Sequence, residues 1–103
     1  MDLGFGSTGL AALCNAKRLM VERWGTETGR TVGKRLLDLA AATAGTIERI
    51  PTASVVRNDD GAMTITFDDA IAISGQLTTG GDGAPVDADQ FVISRIMIKE
   101  EAR

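Results

Sequence analysis

Histidine and tyrosine are absent from this 103-residue chain, and cysteine occurs once, at Cys14. Without histidine there is no Ser–His or Cys–His nucleophile system and no histidine-ligated metal. A general base would have to be a carboxylate or a lysine. A single cysteine permits no intrachain disulfide, so nothing calls for an oxidising compartment. Aromatics make up only 4% of the chain. Phe5, Trp24, Phe67 and Phe91 are its large rings, and Leu, Ile, Val, Met and Ala must fill most of the core. No apolar run is long enough to span a bilayer. The start, Met1-Asp2-Leu3-Gly4, lacks the basic region of a signal peptide. Leu10-Ala11-Ala12-Leu13-Cys14 has Leu where a lipoprotein cleavage site needs a small residue. A cytoplasmic location is the expectation, with no membrane contact.

What is present fits one globular domain over 1–103. Apolar residues make up 44% and charged residues 24%, which is ordinary. Net charge is −3 but unevenly spread. Lys17, Arg18, Arg23, Arg30, Lys34 and Arg35 fall early. Asp59, Asp60, Asp68, Asp69, Asp82, Asp87, Asp89, Glu100 and Glu101 fall late. A whole-protein field that attracts nucleic acid is not expected. The simplest reading of the early cations is solvation of exposed helix faces; a local basic face on the helices is the alternative.

Hydrophobic periodicity predicts an α+β fold, helices first and sheet second. Leu3 to Phe5 suits a short first strand. Ser7 can cap a helix by accepting from an amide of its first turn. Leu10, Leu13, Cys14, Met20, Val21 and Trp24 then recur at helical spacing, with a slip at Lys17 that marks a break near Asn15. Gly25 ends this first helix and Thr26 caps a second. Val32, Leu36, Leu39 and Ala40 form the packing stripe of that second helix, with Gly29 and Gly33, while Arg30, Lys34, Arg35 and Asp38 lie more to the outside. Gly45 stops it. Ser54-Val55-Val56-Arg57 reads as a strand, and Asn58-Asp59-Asp60-Gly61 as a turn. Met63-Thr64-Ile65-Thr66-Phe67 alternates strictly. Asp68-Asp69 turns the chain into Ala70-Ile71-Ala72-Ile73-Ser74. The last strand, Phe91 to Lys99, is expected to set Val92, Ser94, Ile96 and Ile98 on one face, against Ile93, Arg95, Met97 and Lys99. A flexible loop is expected over 78–90, which holds Gly80, Gly81, Gly83 and Pro85.

Three motifs lack the context their chemistry needs. Gly4-x-Gly6-x-x-Gly9 matches the dinucleotide fingerprint, but three residues precede it and helices follow it, so a strand-to-helix turn is the better reading. Gly29 to Arg35 is one residue short of a phosphate loop, and Arg35 stands where Ser or Thr would hold magnesium. Two glycines four apart in a helix more often admit a close neighbour. Asp82, Asp87 and Asp89 do not have the spacing of a calcium loop. No cofactor and no metal is implied.

Leu10-Ala11-Ala12-Leu13-Cys14-Asn15, Met20 and Trp24-Gly25, then Gly29, Val32, Arg35-Leu36 and Leu39-Ala40-Ala41-Ala42, with Ile50-Pro51 ahead of the sheet, carry a resemblance to a known family. The chain resembles the RelE/ParE toxin superfamily, and within it the HigB, or plasmid-maintenance killer, branch. The likeness is closest over 10–51. It implies a short strand and two helices packed on an antiparallel sheet of about four strands. It also implies the toxin of a type II toxin–antitoxin pair, an endoribonuclease that cuts ribosome-bound mRNA. The implied partners are a helix-turn-helix antitoxin, the ribosome and mRNA, with room for a homodimer.

Cleavage by 2′-hydroxyl attack builds negative charge that fixed cations offset. The chain departs from the family pattern there. Asn58-Asp59-Asp60 replaces a Gly-Asp-Arg turn. Ala70 to Ser74 replaces a Tyr-Arg-Leu-Ile-Phe strand, and the family histidines have no counterpart. Arg57, Arg95 and Lys99 are the remaining candidates for the catalytic cations, and Arg57, Lys99 and Arg103 for RNA binding. The plainer alternative pairs Arg57 and Lys99 with nearby surface carboxylates. A catalytically degenerate toxin-fold protein, acting only by binding, is the second functional expectation.

Overall fold

The computed structural model describes residues 1–43, 45–78 and 90–99. Strand β1 (Asp2–Phe5) is followed by α1 (Thr8–Asn15), α2 (Lys17–Trp24) and α3 (Thr26–Ala41), a 3-10 turn at Ile47–Arg49, then β2 (Ala53–Arg57), β3 (Ala62–Phe67), β4 (Ile71–Thr78) and β5 (Gln90–Ile98). The expected α+β plan, helices before sheet, is present. The loop expected over 78–90 lies outside the described residues, except for Thr78 and Gln90, which belong to strands.

The first helix is divided at the break expected near Asn15. The Ser7 side chain accepts from the Leu10 amide at 3.1 Å, as an N-cap should. The helix then stops at Ala16, whose backbone is extended (φ −127, ψ 108). The chain therefore forms three helices where two were expected. The slip at Lys17 accounts for it, because one straight helix would carry the Lys17 ammonium into the middle of the apolar stripe that runs from Leu10 to Trp24. Gly25 (φ 87) then redirects the chain into α3. Helices α2 and α3 approach closely at Gly29. A Cβ there would lie 2.8 Å from the Met20 carbonyl oxygen and 2.9 Å from the Val21 nitrogen. Both are backbone atoms that no rotamer change can move aside.

The sheet has five strands in the order β1-β5-β4-β3-β2. The expectation of an antiparallel sheet of about four strands is corrected by β1, which pairs parallel to β5 with Leu3 opposite Phe91. The remaining pairs are antiparallel. The turns form where Asp and Gly predicted them. Asp68 and Asp69 both take left-handed φ (54 and 56) in the three-residue connection between β3 and β4, where the Ala70 amide donates to the Phe67 carbonyl at 2.9 Å, closing a turn with the positive-φ pair of type I′. Gly61 (φ 91) closes the β2–β3 turn.

Met63, Ile65 and Phe67 are all buried, as their alternation required. The last strand does not keep one parity. Ser74 faces Arg95 but Gly75 faces Ile93, so Ser94 is an extra residue in a β-bulge. A bulge adds a residue to one strand and reverses the in–out order beyond it. The core face of β5 is therefore Phe91 and Ile93 before the bulge, and Ile96 and Ile98 after it. This corrects the expected single-parity face. Gly75 sits opposite the bulge because a Cβ there would run into the Val92 carbonyl oxygen.

The core gathers Val32, Leu36 and Leu39 of α3 against Ile65, Phe67, Ile73, Phe91 and Ile93 of the sheet. Each fully buried side chain of this size contributes about 1.5–3 kcal/mol relative to exposure. Arg35, expected toward the outside, folds under instead. Its guanidinium lies 5.3 Å from the Phe67 ring centre, and it reaches Asp38 at 3.2 Å and Asp68 at 3.4 Å. It thereby ties α3 to the β3–β4 turn.

The two glycines of α3 should respond oppositely to alanine. Gly33 meets only the Met20 Cε, at 3.5 Å, so Gly33→Ala should raise unfolding free energy by about 0.5–1 kcal/mol through helix propensity. Gly29→Ala should lower it by about 1–2 kcal/mol despite the same gain, because backbone must move. Urea denaturation of the two variants checks this pair.

Candidate functional site

The sheet has one face under the helices and one facing solvent. Cross-strand partners share a face, and this places the three cations expected to act together. Arg57 stands opposite buried Met63, so it projects on the helix side, at the end of an edge strand. There it donates to Glu48 of the 3-10 turn at 2.7 Å. Arg95 stands opposite Ser74, which is opposite Thr64, so it projects from the open face. Its guanidinium reaches the Met97 sulfur at 3.7 Å. Lys99 follows β5, and its amide donates to the Ala70 carbonyl at 2.7 Å. Arg57 and Arg95 thus lie on opposite faces, and no single phosphate can meet both. Arg103 lies outside the described residues, as do Asp82, Asp87 and Asp89.

The open face is built from small and hydroxyl side chains. Ser54, Val56, Thr64, Thr66, Ala72 and Ser74 share it with Arg95 and Met97. The Thr64 and Ser74 hydroxyls hydrogen-bond to each other at 2.9 Å. Among the described residues no three His, Cys, Asp or Glu side chains cluster as a metal site would require.

Two depressions on the helix side bring charged and apolar residues together. The first, of about 710 Å³, opens at the junction of α2, α3 and the ends of β3 and β5, and Arg23, Trp24, Glu27, Asp68 and Lys99 surround it. Here Lys99 lines the same depression as a second cation, Arg23, and the lone tryptophan. The second is a groove of about 620 Å³ between β1, the α1–α2 break and α3. Leu3, Phe5, Cys14, Met20 and Leu36 form its apolar floor, and Leu37 stands on its border. Leu37 is 72% exposed. Lys17, Arg30 and Lys34 line the same groove, and among the described residues no carboxylate does. All three cations are exposed.

No helix among the described residues is long and apolar enough to cross a membrane. No family model matches the chain, and neither a curated protein nor a solved structure matches it.

Cys14 was expected in the apolar stripe of the first helix, and it is half-buried in the groove wall. Burial raises its thiol pKa from 9.0 to about 11, because the apolar surroundings disfavour the thiolate. Thiolate is the reactive species, so iodoacetamide near neutral pH should modify native Cys14 much more slowly than the urea-unfolded chain. The linkage sign follows from the raised value. The thiol's stabilising share is fully present below pH 9.0 and is lost as pH rises toward about 11. Cys14→Ser should blunt that alkaline loss of stability, as followed by circular dichroism.

Proposed function

We propose that this chain is a toxin-like component of a type II toxin–antitoxin system, HigB-like in its helical half, that acts by binding a protein partner and not as an mRNA endoribonuclease. The implied partner is a helix-turn-helix antitoxin. One observation carries the reading. Arg57 and Arg95 diverge to opposite faces of the sheet, and Arg57 is already engaged by Glu48. Transition-state charge is offset by donors preorganised around one point, and a divided pair of cations does not provide that. The lack of any histidine removes the usual acid or base as well. The helix-side groove, by contrast, offers contiguous apolar surface at the protein exterior, the kind of feature that marks interaction sites.

A second reading is favoured by the depression around Arg23, Trp24 and Lys99. An aromatic ring beside two cations can stack a base and hold its phosphate, which would keep mRNA as the ligand and the nuclease as the activity.

Induction of the chain alone in growing bacteria, with primer-extension mapping of transcripts, separates the two. Binding without cleavage predicts normal growth, intact mRNA and folded protein at high yield. Rapid arrest with cut transcripts would overturn the proposal. Persistence of that arrest in a variant carrying Arg57→Ala, Arg95→Ala and Lys99→Ala would then move the chemistry elsewhere, with Arg23 and Trp24 next to be replaced.

A further inference from the structure

Helix α3 presents two neighbouring stripes. Positions 32, 36 and 39 are buried on the sheet. Positions 30, 33, 34, 37 and 40, again three and four apart, line the groove. Leu37 and Ala40 of this second stripe are exposed, and nothing in the chain's described residues covers them. Opposite stand Leu3 and Phe5 of edge strand β1, and the end of the groove is formed by Cys14, Asn15 and Lys17, where α1 gives way to α2.

The charge on the groove restricts what can cover it. Lys17, Arg30 and Lys34 belong to a chain whose net charge is −3. No ion pair holds any of them among the described residues. A second copy docked in the same groove by a two-fold axis would set these cations against their own images, so self-association there is disfavoured. Leu37 on the groove's border is exposed, so an occupant would keep one side in water, unlike a ligand in a small-molecule site, most of whose surface is enclosed. An occupant that fills an open apolar trough and meets a cationic border along one side is an amphipathic helix.

Resting on the partner-binding reading, we infer that the groove between β1, the α1–α2 break and α3 receives an acidic amphipathic helix of a protein partner. Leu, Ile or Phe side chains at i, i+3 or i+4 spacing enter between Phe5 and Leu37. Asp or Glu side chains flanking that stripe meet Lys17, Arg30 and Lys34.

The test is selection of a phage-displayed library of randomised helical peptides on the full chain, with fluorescence anisotropy of the winning peptides. Selected sequences should carry apolar residues at helical spacing flanked by carboxylates, and their binding should weaken as salt rises. A variant with Lys17→Glu, Arg30→Glu and Lys34→Glu should bind them roughly tenfold or more weakly. Leu37→Asp should do the same, and because all four positions are exposed, circular dichroism of both variants should match the parent. Bound peptide should also slow alkylation of Cys14, which lines the groove. Selection of neutral or basic peptides, or of none, overturns the inference, as does binding indifferent to these substitutions. Preferential binding to anionic lipid vesicles through the same cations, or a dimer in sedimentation that Leu37→Asp dissolves, would also overturn it by naming another occupant. These failures leave the partner-binding reading standing, since that reading falls on transcript cleavage, which no peptide result can produce.

Discussion

The structure depends on a single helix keeping its place over the sheet. Val32 and Leu39 of α3 are wholly buried, and facing them are Ile65, Phe67, Ile73, Phe91 and Ile93, also wholly buried. With few aromatic rings available, this contact must be made by many aliphatic groups at close packing, and any shift of α3 exposes several at once. The other contacts of α3 hold it in that position. Gly29 lets α2 press against it from the side. Arg35 fastens its middle to the β3–β4 turn across the face of Phe67. The Met1 nitrogen donates to the Ala40 and Ala42 carbonyls at 3.1 and 2.7 Å, satisfying groups left open at the end of the helix.

Much of this was legible in the residues because it rests on local rules. Strict alternation from Met63 to Phe67 fixed a strand and its buried face. The Asn–Asp–Gly and Asp–Asp pairs marked turns whose left-handed backbones those residues tolerate. The glycine pair of α3 pointed to a close neighbour, and the structure supplies one at Gly29. Three features escaped for reasons of range. Pairing between β1 and β5 joins residues far apart in the chain, and four residues of strand carry no mark of their direction. The bulge at Ser94 is specified by its fit against Gly75, not by any pattern within β5. Arg35 read as a surface charge because helical spacing cannot reveal that Phe67 and Asp68 wait beneath it.

The candidate site divides in the same way. Arg57, Arg95 and Lys99 could be chosen as cations of the sheet half from composition alone, but whether they converge depends on strand register and on the parity change in β5. Leu37 went unnoticed because the stripe through Leu36 and Leu39 already accounts for a packed helix. A second stripe one position away is visible only as an excess of apolar residues, and it gains meaning once Lys17 and β1 are seen across from it. The proposed likeness to RelE/ParE toxins is drawn mainly from residues 10–51, which supply the groove lining other than Leu3 and Phe5.

The parallel pairing of β1 has a consequence for the order of assembly. During synthesis β1 leaves the ribosome before the other elements described, yet among the described residues its strand partner is β5, the last of them to be made. Leu3 cannot meet Phe91 until then, so the earlier helices and the β2–β3–β4 meander must wait as a partly formed body with its edge at β4 unpaired. Closing such a long loop is slow compared with forming hairpins, and an unpaired strand edge invites the wrong neighbour.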